Sequence, residues 1–259
     1  GKKFSYPGYS EIITGLTDPR IDSNGKFPNP NMTVFEWLNN RGGTKGRVAV
    51  IGNWDVFAHI FNCERAQLPL WPAWEPKFAA LEIKMPAAIE NFRRDTTALW
   101  PDMTYDSLFV QAAEDYLRVR RPRLLFVGFS ETDEWAHEKR YDHYLHAAHH
   151  MDDFVRRLWD LAQSIPQYRD KTTFIITADH GRGNGPEWTS HGEKINGAEN
   201  DWLAVIGPDT PPLGERGNTV PHTHSQIAAT IAALFGESYQ AAYPNVGKAM
   251  YELLGRPAN

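Results

Sequence analysis

The 259-residue chain has a single cysteine, Cys63, and it lacks long apolar runs and clusters of basic residues. One cysteine excludes an internal disulfide and a zinc site built from several thiolates. No apolar run approaches the roughly 20 residues that cross a bilayer, so we expect no membrane span. The formal net charge is −5. A groove for a nucleic-acid polymer would need the opposite sign, and none is evident.

The start of the chain and its composition bear on domain organisation. The first residues contain neither a start methionine nor the apolar core of a signal peptide, so we expect the chain to begin inside a longer protein. Hydrophobic residues make up 41% and charged residues 23%, which is typical of globular domains. We predict a single domain over residues 1–259, truncated at its N-terminus.

Strand and helix patterns alternate along the chain. Four apolar runs without polar alternation predict buried, parallel strands at residues 47–53, 123–130, 172–178 and 202–207. Helical patterns cover residues 106–118, 141–163 and 227–235, and a capping box at residues 33–36 opens a shorter helix. These patterns predict an α/β fold with a largely parallel sheet and helices on both faces.

Residues 63–105 have a different character. Proline and tryptophan are frequent there, and no strand pattern is clear. We interpret this stretch as an insertion over one end of the sheet. It is either a lid or substrate wall, or a packed excursion without a functional role.

Aspartate and histidine recur just after the predicted strands, where parallel sheets bind their ligands. Asp133 and His137 are four residues apart, so one face of a helix would carry both. Asp179 and His180 follow the next predicted strand, and His191 ends the loop after them. Carboxylate and imidazole ligands together suit Zn²⁺, with Mn²⁺ as the alternative. The joint placement predicts a metal site.

A candidate nucleophile lies near the start of the chain. Pro7 suits the first position of a helix and Gly15 suits its end, so Ser5 would stand at the helix N-terminus. Backbone N–H groups at such a terminus favour an anion. Ser5 is therefore either an activated nucleophile or an N-cap.

Taken together, these segments resemble the alkaline phosphatase superfamily, in particular its nucleotide pyrophosphatase/phosphodiesterase and sulfatase-like branches. The family's nucleophile lies ten residues before the glycine of a Thr-Gly pair, with a proline two residues after it. Its other segments are Glu-x-Asp-x-x-x-His, Asp-His-Gly and a His-Gly before a strand that ends in Gly-Pro. The matching residues are Ser5, Pro7, Thr14-Gly15, Glu131, Asp133, His137, Asp179-His180-Gly181, His191-Gly192 and Gly207-Pro208.

The resemblance implies two divalent metal ions, usually zinc. The first ion would be held by Asp133, His137 and His191, and the second by Asp179, His180 and the Ser5 oxygen. The family also has an aspartate ligand on a strand upstream of the nucleophile, and this chain starts too late to include that strand. The resemblance further implies a periplasmic or secreted location.

Two departures favour phosphate esters over sulfate esters. Sulfatases follow the nucleophile with x-Pro-Ser-Arg, whereas Ser5 is followed by Tyr-Pro-Gly-Tyr, and they usually have lysine where His191 stands. Asn24 lies near the position of a phosphate-contacting asparagine in phosphodiesterases. The resemblance therefore implies a hydrolase of small phosphate mono- or diesters that acts through a covalent Ser5 intermediate.

Three alternatives stay open. They are a sulfatase-like hydrolase, a phosphate-transferring mutase and an inactive relative that binds a metal or ligand. His222 and His224, which precede the last apolar helix, are expected to serve the loop there rather than to bind metal. The substrate and the oligomeric state do not follow from the residues.

Overall fold

A computed structural model of the protein describes residues 2–71, 86–217 and 220–255. The chain divides into two compact units. Unit 1 comprises Gly1–Asn24, Asn31–Val34 and Pro166–Asn259, and unit 2 comprises Gly25–Pro30 and Phe35–Ile165. The predicted single domain over residues 1–259 stays a prediction.

The predicted helices are present, together with further helices that no pattern predicted. In chain order they are α1 (Ser5–Thr14), α2 (Val34–Asn39), α3 (Phe57–Ile60), α4 (Cys63–Ala66), α5 (Ala87–Asp95), α6 (Asp106–Arg120), α7 (Glu131–His137), α8 (Tyr141–Ser164), α9 (Ile227–Leu234) and α10 (Tyr239–Ala242). Within the described ranges, no helix is both long enough and apolar enough to cross a bilayer. Cys63 is buried at the start of α4.

Unit 2 contains a parallel sheet of three strands in the order β2-β1-β3. The strands are β1 (Val48–Gly52), β2 (Leu70–Trp71) and β3 (Leu124–Gly128). The central strand β1 is buried along its whole length. β2 lies inside the predicted insertion, where the sequence shows no clear strand pattern: it is only two residues long and the residues after it are proline-rich, so no periodicity marks it. Residues 72–85 of that insertion lie outside the described part of the chain.

Aromatic side chains fill the core beside this sheet. Phe57 packs edge-on against Phe126 with ring centroids 5.2 Å apart, and Phe61 lies 4.8 Å from the same ring. A Cβ atom at Gly52 or Gly128 would lie only 2.5 or 2.6 Å from the Phe57 ring. Both strands therefore end in glycine because Phe57 occupies the space above their last residues.

Unit 1 contains a two-stranded sheet formed by β4 (Phe174–Thr177) and β5 (Leu203–Ile206). The strands are antiparallel, with Phe174 opposite Ile206, so the predicted parallel arrangement is wrong for this pair. An apolar run without alternation is typical of parallel strands, but the direction of a strand depends on its partner, and here residues as far apart in sequence as Phe174 and Ile206 pair.

The expected full burial is also wrong for three of the four predicted strands, β3, β4 and β5. Strands β3 and β4 are mostly half-buried, and Ile206 in β5 is 47% exposed. In the described part of the chain each of these strands has one strand neighbour, whereas β1 has two. An edge strand has fewer neighbours to cover it.

Candidate functional site

Helix α1 places Ser5 at the site. Ser5 is the first residue of α1 and Phe4 is its N-cap, so the interpretation of Ser5 as an N-cap is wrong, as is Pro7 as the first helical residue. The capping role belongs to Asn24, whose side-chain oxygen accepts a hydrogen bond of 2.9 Å from the Tyr6 N–H. The Ser5 Oγ instead lies 3.3 Å from Nε2 of His180.

Asp179 and His180 lie in the segment just after β4, as predicted, with Ala178 between the strand and Asp179. His180 is 8% exposed, and its Nδ1 lies 2.9 Å from the carbonyl oxygen of Gly181. Since a carbonyl only accepts, Nδ1 carries the proton and Nε2 presents its lone pair. That Nε2 atom lies 3.6 Å from Oδ2 of Asp179.

Two distances among these atoms match those between neighbouring metal ligands. The Ser5 Oγ and the Asp179 Oδ2 both lie within 3.6 Å of the same His180 nitrogen. Zinc bonds of roughly 2.0–2.1 Å in a tetrahedral site put neighbouring ligand atoms about 3.3 Å apart. The His180 nitrogen therefore lies at distances typical of neighbouring zinc ligands from both the Ser5 hydroxyl and the Asp179 carboxylate.

Two glycines allow the backbone to approach this cluster. A Cβ atom at Gly8 would lie 2.9 Å from the Asp179 carbonyl carbon and would overlap its oxygen. A Cβ atom at Gly181 would similarly overlap the carbonyl oxygen of Asn200. The absence of side chains at Gly8 and Gly181 therefore lets α1 and the loop after β4 meet at the candidate ligands.

His191 lies against the same cluster. Its ring stacks on His180 with centroids 3.9 Å apart and planes 15° apart, and Phe4 contacts it edge-on at 5.7 Å. The His191 Nδ1 lies 2.8 Å from the carbonyl oxygen of Lys3. Nδ1 therefore donates to Lys3, and Nε2 is the atom available to a metal.

His224 is a further histidine of unit 1 that the sequence analysis did not assign to the site. It begins a 3₁₀ turn before α9, and its Nε2 lies 2.7 Å from Oδ2 of Asp201. Burial lowers the pKa of His224, but the hydrogen bond to Asp201 and the charge of Glu11 outweigh it and raise that pKa above its ordinary value. No local motif links His224 to Asp201, 23 residues earlier.

A cavity of about 1610 Å³ adjoins the cluster within unit 1. Its lining includes Gly8, Glu11, Asp179, His180, Asp201 and His224. Asp179 and His180 thus border a space large enough for a small-molecule ligand.

We expect Asp201→Asn to destabilise unit 1 in a pH-dependent way. The pKa of His224 is higher in the folded chain than in the unfolded chain. Its ion pair with Asp201 therefore stabilises the fold fully below a pH of about 6.5, and this contribution is lost as the pH rises through the folded pKa. We expect the free energy of unfolding to fall by about 1–2 kcal/mol in acid and by less in alkaline buffer.

Urea unfolding of both proteins at about pH 5.5 and about pH 9 measures this difference. Glu252→Gln is the control, because it removes the more exposed partner of His222, 3.5 Å away, where an ion pair contributes little. An equal loss at both pH values for Asp201→Asn would contradict the assignment.

Unit 2 carries the other predicted ligand pair. Asp133 and His137 lie on α7, and Oδ2 of Asp133 is 3.2 Å from Nε2 of His137, as the four-residue spacing predicts. Burial, followed by the charge of Asp133, raises the pKa of the neighbouring Glu134 to about 7. The structure thus pairs two candidate ligands on one helix face.

A buried hydrogen-bond network fixes the start of α7. The carboxylate of Asp106 accepts from the N–H of Ser130 at 3.1 Å and from Asn53 Nδ2 at 2.7 Å. Glu131 accepts in return from the Asp106 N–H at 2.8 Å. Burial and the charge of Glu131 raise the pKa of Asp106 well above its ordinary value. No local pattern marks Asp106, because its partners come from the residue after β1 and from the segment after β3.

Trp100, from the predicted insertion, packs beside the same helix. Its ring centroid lies 4.9 Å from that of Trp135 on α7, and Trp135 lies 4.5 Å from His143 on α8. The insertion therefore contributes at least one aromatic side chain to the surroundings of the Asp133 and His137 helix.

Comparison with protein families identifies the chain. The family model described as Sulfatase matches residues 8–237, which is most of the chain. The chain belongs to the sulfatase family. This family is a member of the alkaline phosphatase superfamily, so the resemblance to that superfamily is confirmed. No curated protein matches the chain.

Membership of the sulfatase family makes the chain a hydrolase-type protein, and members of the family bind divalent metal ions. Within unit 1 the structure brings together Ser5, Asp179, His180 and His191, and within unit 2 it pairs Asp133 with His137. The ligand set that joins His191 to the unit 2 pair stays a prediction from the resemblance.

Proposed function

We propose that this sulfatase-family chain hydrolyses small phosphate mono- or diesters with Ser5 as the nucleophile. The observation that supports this most directly is the position of the Ser5 Oγ, 3.3 Å from a buried imidazole nitrogen that also faces the Asp179 carboxylate. A serine on the first turn of a helix also lies beside the backbone N–H groups at the helix N-terminus. These groups and the helix dipole favour an anionic substrate.

In this proposal Asp179, His180 and Ser5 hold one divalent ion, and Asp133, His137 and His191 hold a second. The donor set of carboxylates and neutral imidazoles favours Zn²⁺, with Mn²⁺ as the alternative. Bound there, the ions would lower the pKa of coordinated oxygen atoms and offset negative charge on the phosphoryl group.

The chain's own residues account for the covalent step. Ser5 loses its proton to solvent, and its oxygen attacks phosphorus in line with the leaving group. The bond from Oγ to phosphorus forms while the phosphorus–oxygen bond to the alcohol breaks, and the alcohol leaves with a proton from water. Water then attacks the phosphoserine, releases the phosphate or its monoester, and restores the Ser5 hydroxyl. Asn24, close to Tyr6 at the same helix start, would contact the phosphoryl oxygens through its side-chain NH₂ group.

The environment of Gly8 favours phosphate over sulfate chemistry. Gly8 occupies the place of serine in the sulfatase signature x-Pro-Ser-Arg, and any Cβ atom there would overlap the carbonyl oxygen of Asp179. Tyr9 occupies the place of the arginine. Residues 5–9 of unit 1 therefore lack two residues of that signature.

Turnover of three nitrophenyl compounds tests the proposal. After chelation and reloading with Zn²⁺ or Mn²⁺, we expect hydrolysis of nitrophenyl phosphate or bis-nitrophenyl phosphate and no measurable turnover of nitrophenyl sulfate. Chelated protein should be inactive, because Ser5 then lacks the cation that lowers the pKa of its hydroxyl.

The outcomes separate the alternatives. Sulfate turnover in excess of phosphate turnover would establish a sulfatase. It would contradict the interpretation that residues 5–9 favour phosphate esters. Phosphate transfer between two alcohols without net release would indicate a mutase. Tight metal binding without turnover of any ester would indicate a non-catalytic relative.

A further inference from the structure

Lys3 has an unusual backbone conformation two residues before Ser5. Its φ angle is +55°, in the left-handed region that residues with a Cβ atom rarely occupy. A residue keeps such a conformation only when its surroundings enforce it. Contacts within unit 1 hold both the side chain and the carbonyl of Lys3, and these contacts account for the conformation.

The Lys3 ammonium is anchored on the loop that follows His191. Nζ lies 2.7 Å from Oε2 of Glu199 and 3.3 Å from the carbonyl oxygen of Ile195. Only 18% of the Lys3 side chain is exposed, so its ion pair is better shielded than that of Lys2, which lies 3.4 Å from Glu193 with 40% of its side chain exposed.

The Lys3 carbonyl forms a hydrogen bond with His191. The His191 Nδ1 lies 2.8 Å from that oxygen, which can only accept a hydrogen bond. The proton of the neutral ring is therefore held on Nδ1, and Nε2 keeps the lone pair that a metal would bind. Carbonyl partners of this kind fix the tautomer and orientation of metal-binding histidines.

We propose that Lys3 is a positioning residue for His191. The clamp of its ammonium on Glu199 and the Ile195 carbonyl holds the left-handed backbone, and this backbone aims the Lys3 carbonyl at Nδ1 of His191. The inference rests on the proposed function because it takes His191 as a metal ligand. Its test measures the protonation of the histidine ring directly.

The experiment uses the metal-free chain with ¹⁵N-labelled histidine, whose nitrogen–proton correlation spectra distinguish the two ring tautomers. We expect wild-type His191 to carry its proton on Nδ1. Lys3→Met, which keeps the aliphatic stem and removes the charge, should give a mixture of tautomers and weaken Zn²⁺ binding by about tenfold or more. Lys3→Arg should restore most of the wild-type behaviour, since it keeps a cation near Glu199.

Lys2→Met is the matched control, because it makes the same change one residue away and breaks only the exposed pair with Glu193. Glu199→Gln loosens the clamp from its other end and should move the tautomer in the same direction as Lys3→Met. Wild-type spectra and zinc affinity in both Lys3→Met and Glu199→Gln would overturn the proposal. Failure of the proposed hydrolase activity would show instead as wild-type protein without ester turnover, whatever the spectra report.

Discussion

Ser5→Ala is expected to reduce phosphate-ester turnover by about a thousandfold or more while zinc remains bound. The substitution removes the oxygen that forms the covalent intermediate but leaves Asp179 and the His180 Nε2 atom in place. Steady-state turnover of bis-nitrophenyl phosphate, with metal content measured on the same samples, checks both parts of the expectation.

Ser23→Ala provides the matched control, because Ser23 is an exposed serine of unit 1. It should retain the wild-type rate. A phosphoryl group trapped on the wild-type protein after an acid quench, and none on Ser5→Ala, would identify the covalent Ser5 intermediate. Full activity in Ser5→Ala would remove Ser5 from the chemistry and leave the metal-binding proposal standing separately.

Gly8→Ala is expected to destabilise the protein strongly. The added Cβ atom would overlap the backbone oxygen of Asp179. Because the clash involves backbone on both sides, no side-chain rotation relieves it, and we expect a loss of about 3 kcal/mol in the free energy of unfolding. Metal affinity should fall as well, since α1 and the Asp179 segment must separate to make room. Chemical unfolding and zinc titration measure the two effects.

Gly42→Ala is the control for this substitution. No atom lies within 4 Å of a Cβ placed at Gly42, and its backbone does not require glycine. Its stability should match wild type or exceed it slightly, because alanine restricts the unfolded chain. Equal stability of the Gly8 and Gly42 variants would mean that α1 does not need its close approach to Asp179.

Local sequence patterns predicted the elements that depend only on residues close together in the chain. The periodicity of apolar residues located α6, α8 and α9 to within two residues, and the spacing of Asp133 and His137 predicted their shared helix face. Helical spacing is a property of consecutive residues, so it can be read without knowledge of the rest of the chain.

The missed features depend on contacts between distant residues. Asn24 caps α1 from 18 residues away, and Asp201 binds His224 across 23 residues, so neither role leaves a local signal. The left-handed backbone of Lys3 is equally hidden, because lysine is not a residue that turn patterns single out. Strand direction in β4 and β5 was missed because it depends on pairing between residues as distant in sequence as Phe174 and Ile206.

The buried position of Cys63 has a practical consequence. Burial raises the pKa of this thiol to about 12, so at neutral pH almost none of it is the reactive thiolate. A cysteine introduced at an exposed position of the folded chain would then be the one thiol open to maleimide dyes. The natural sequence can accordingly carry a single fluorescent reporter near the cavity without prior removal of its own cysteine.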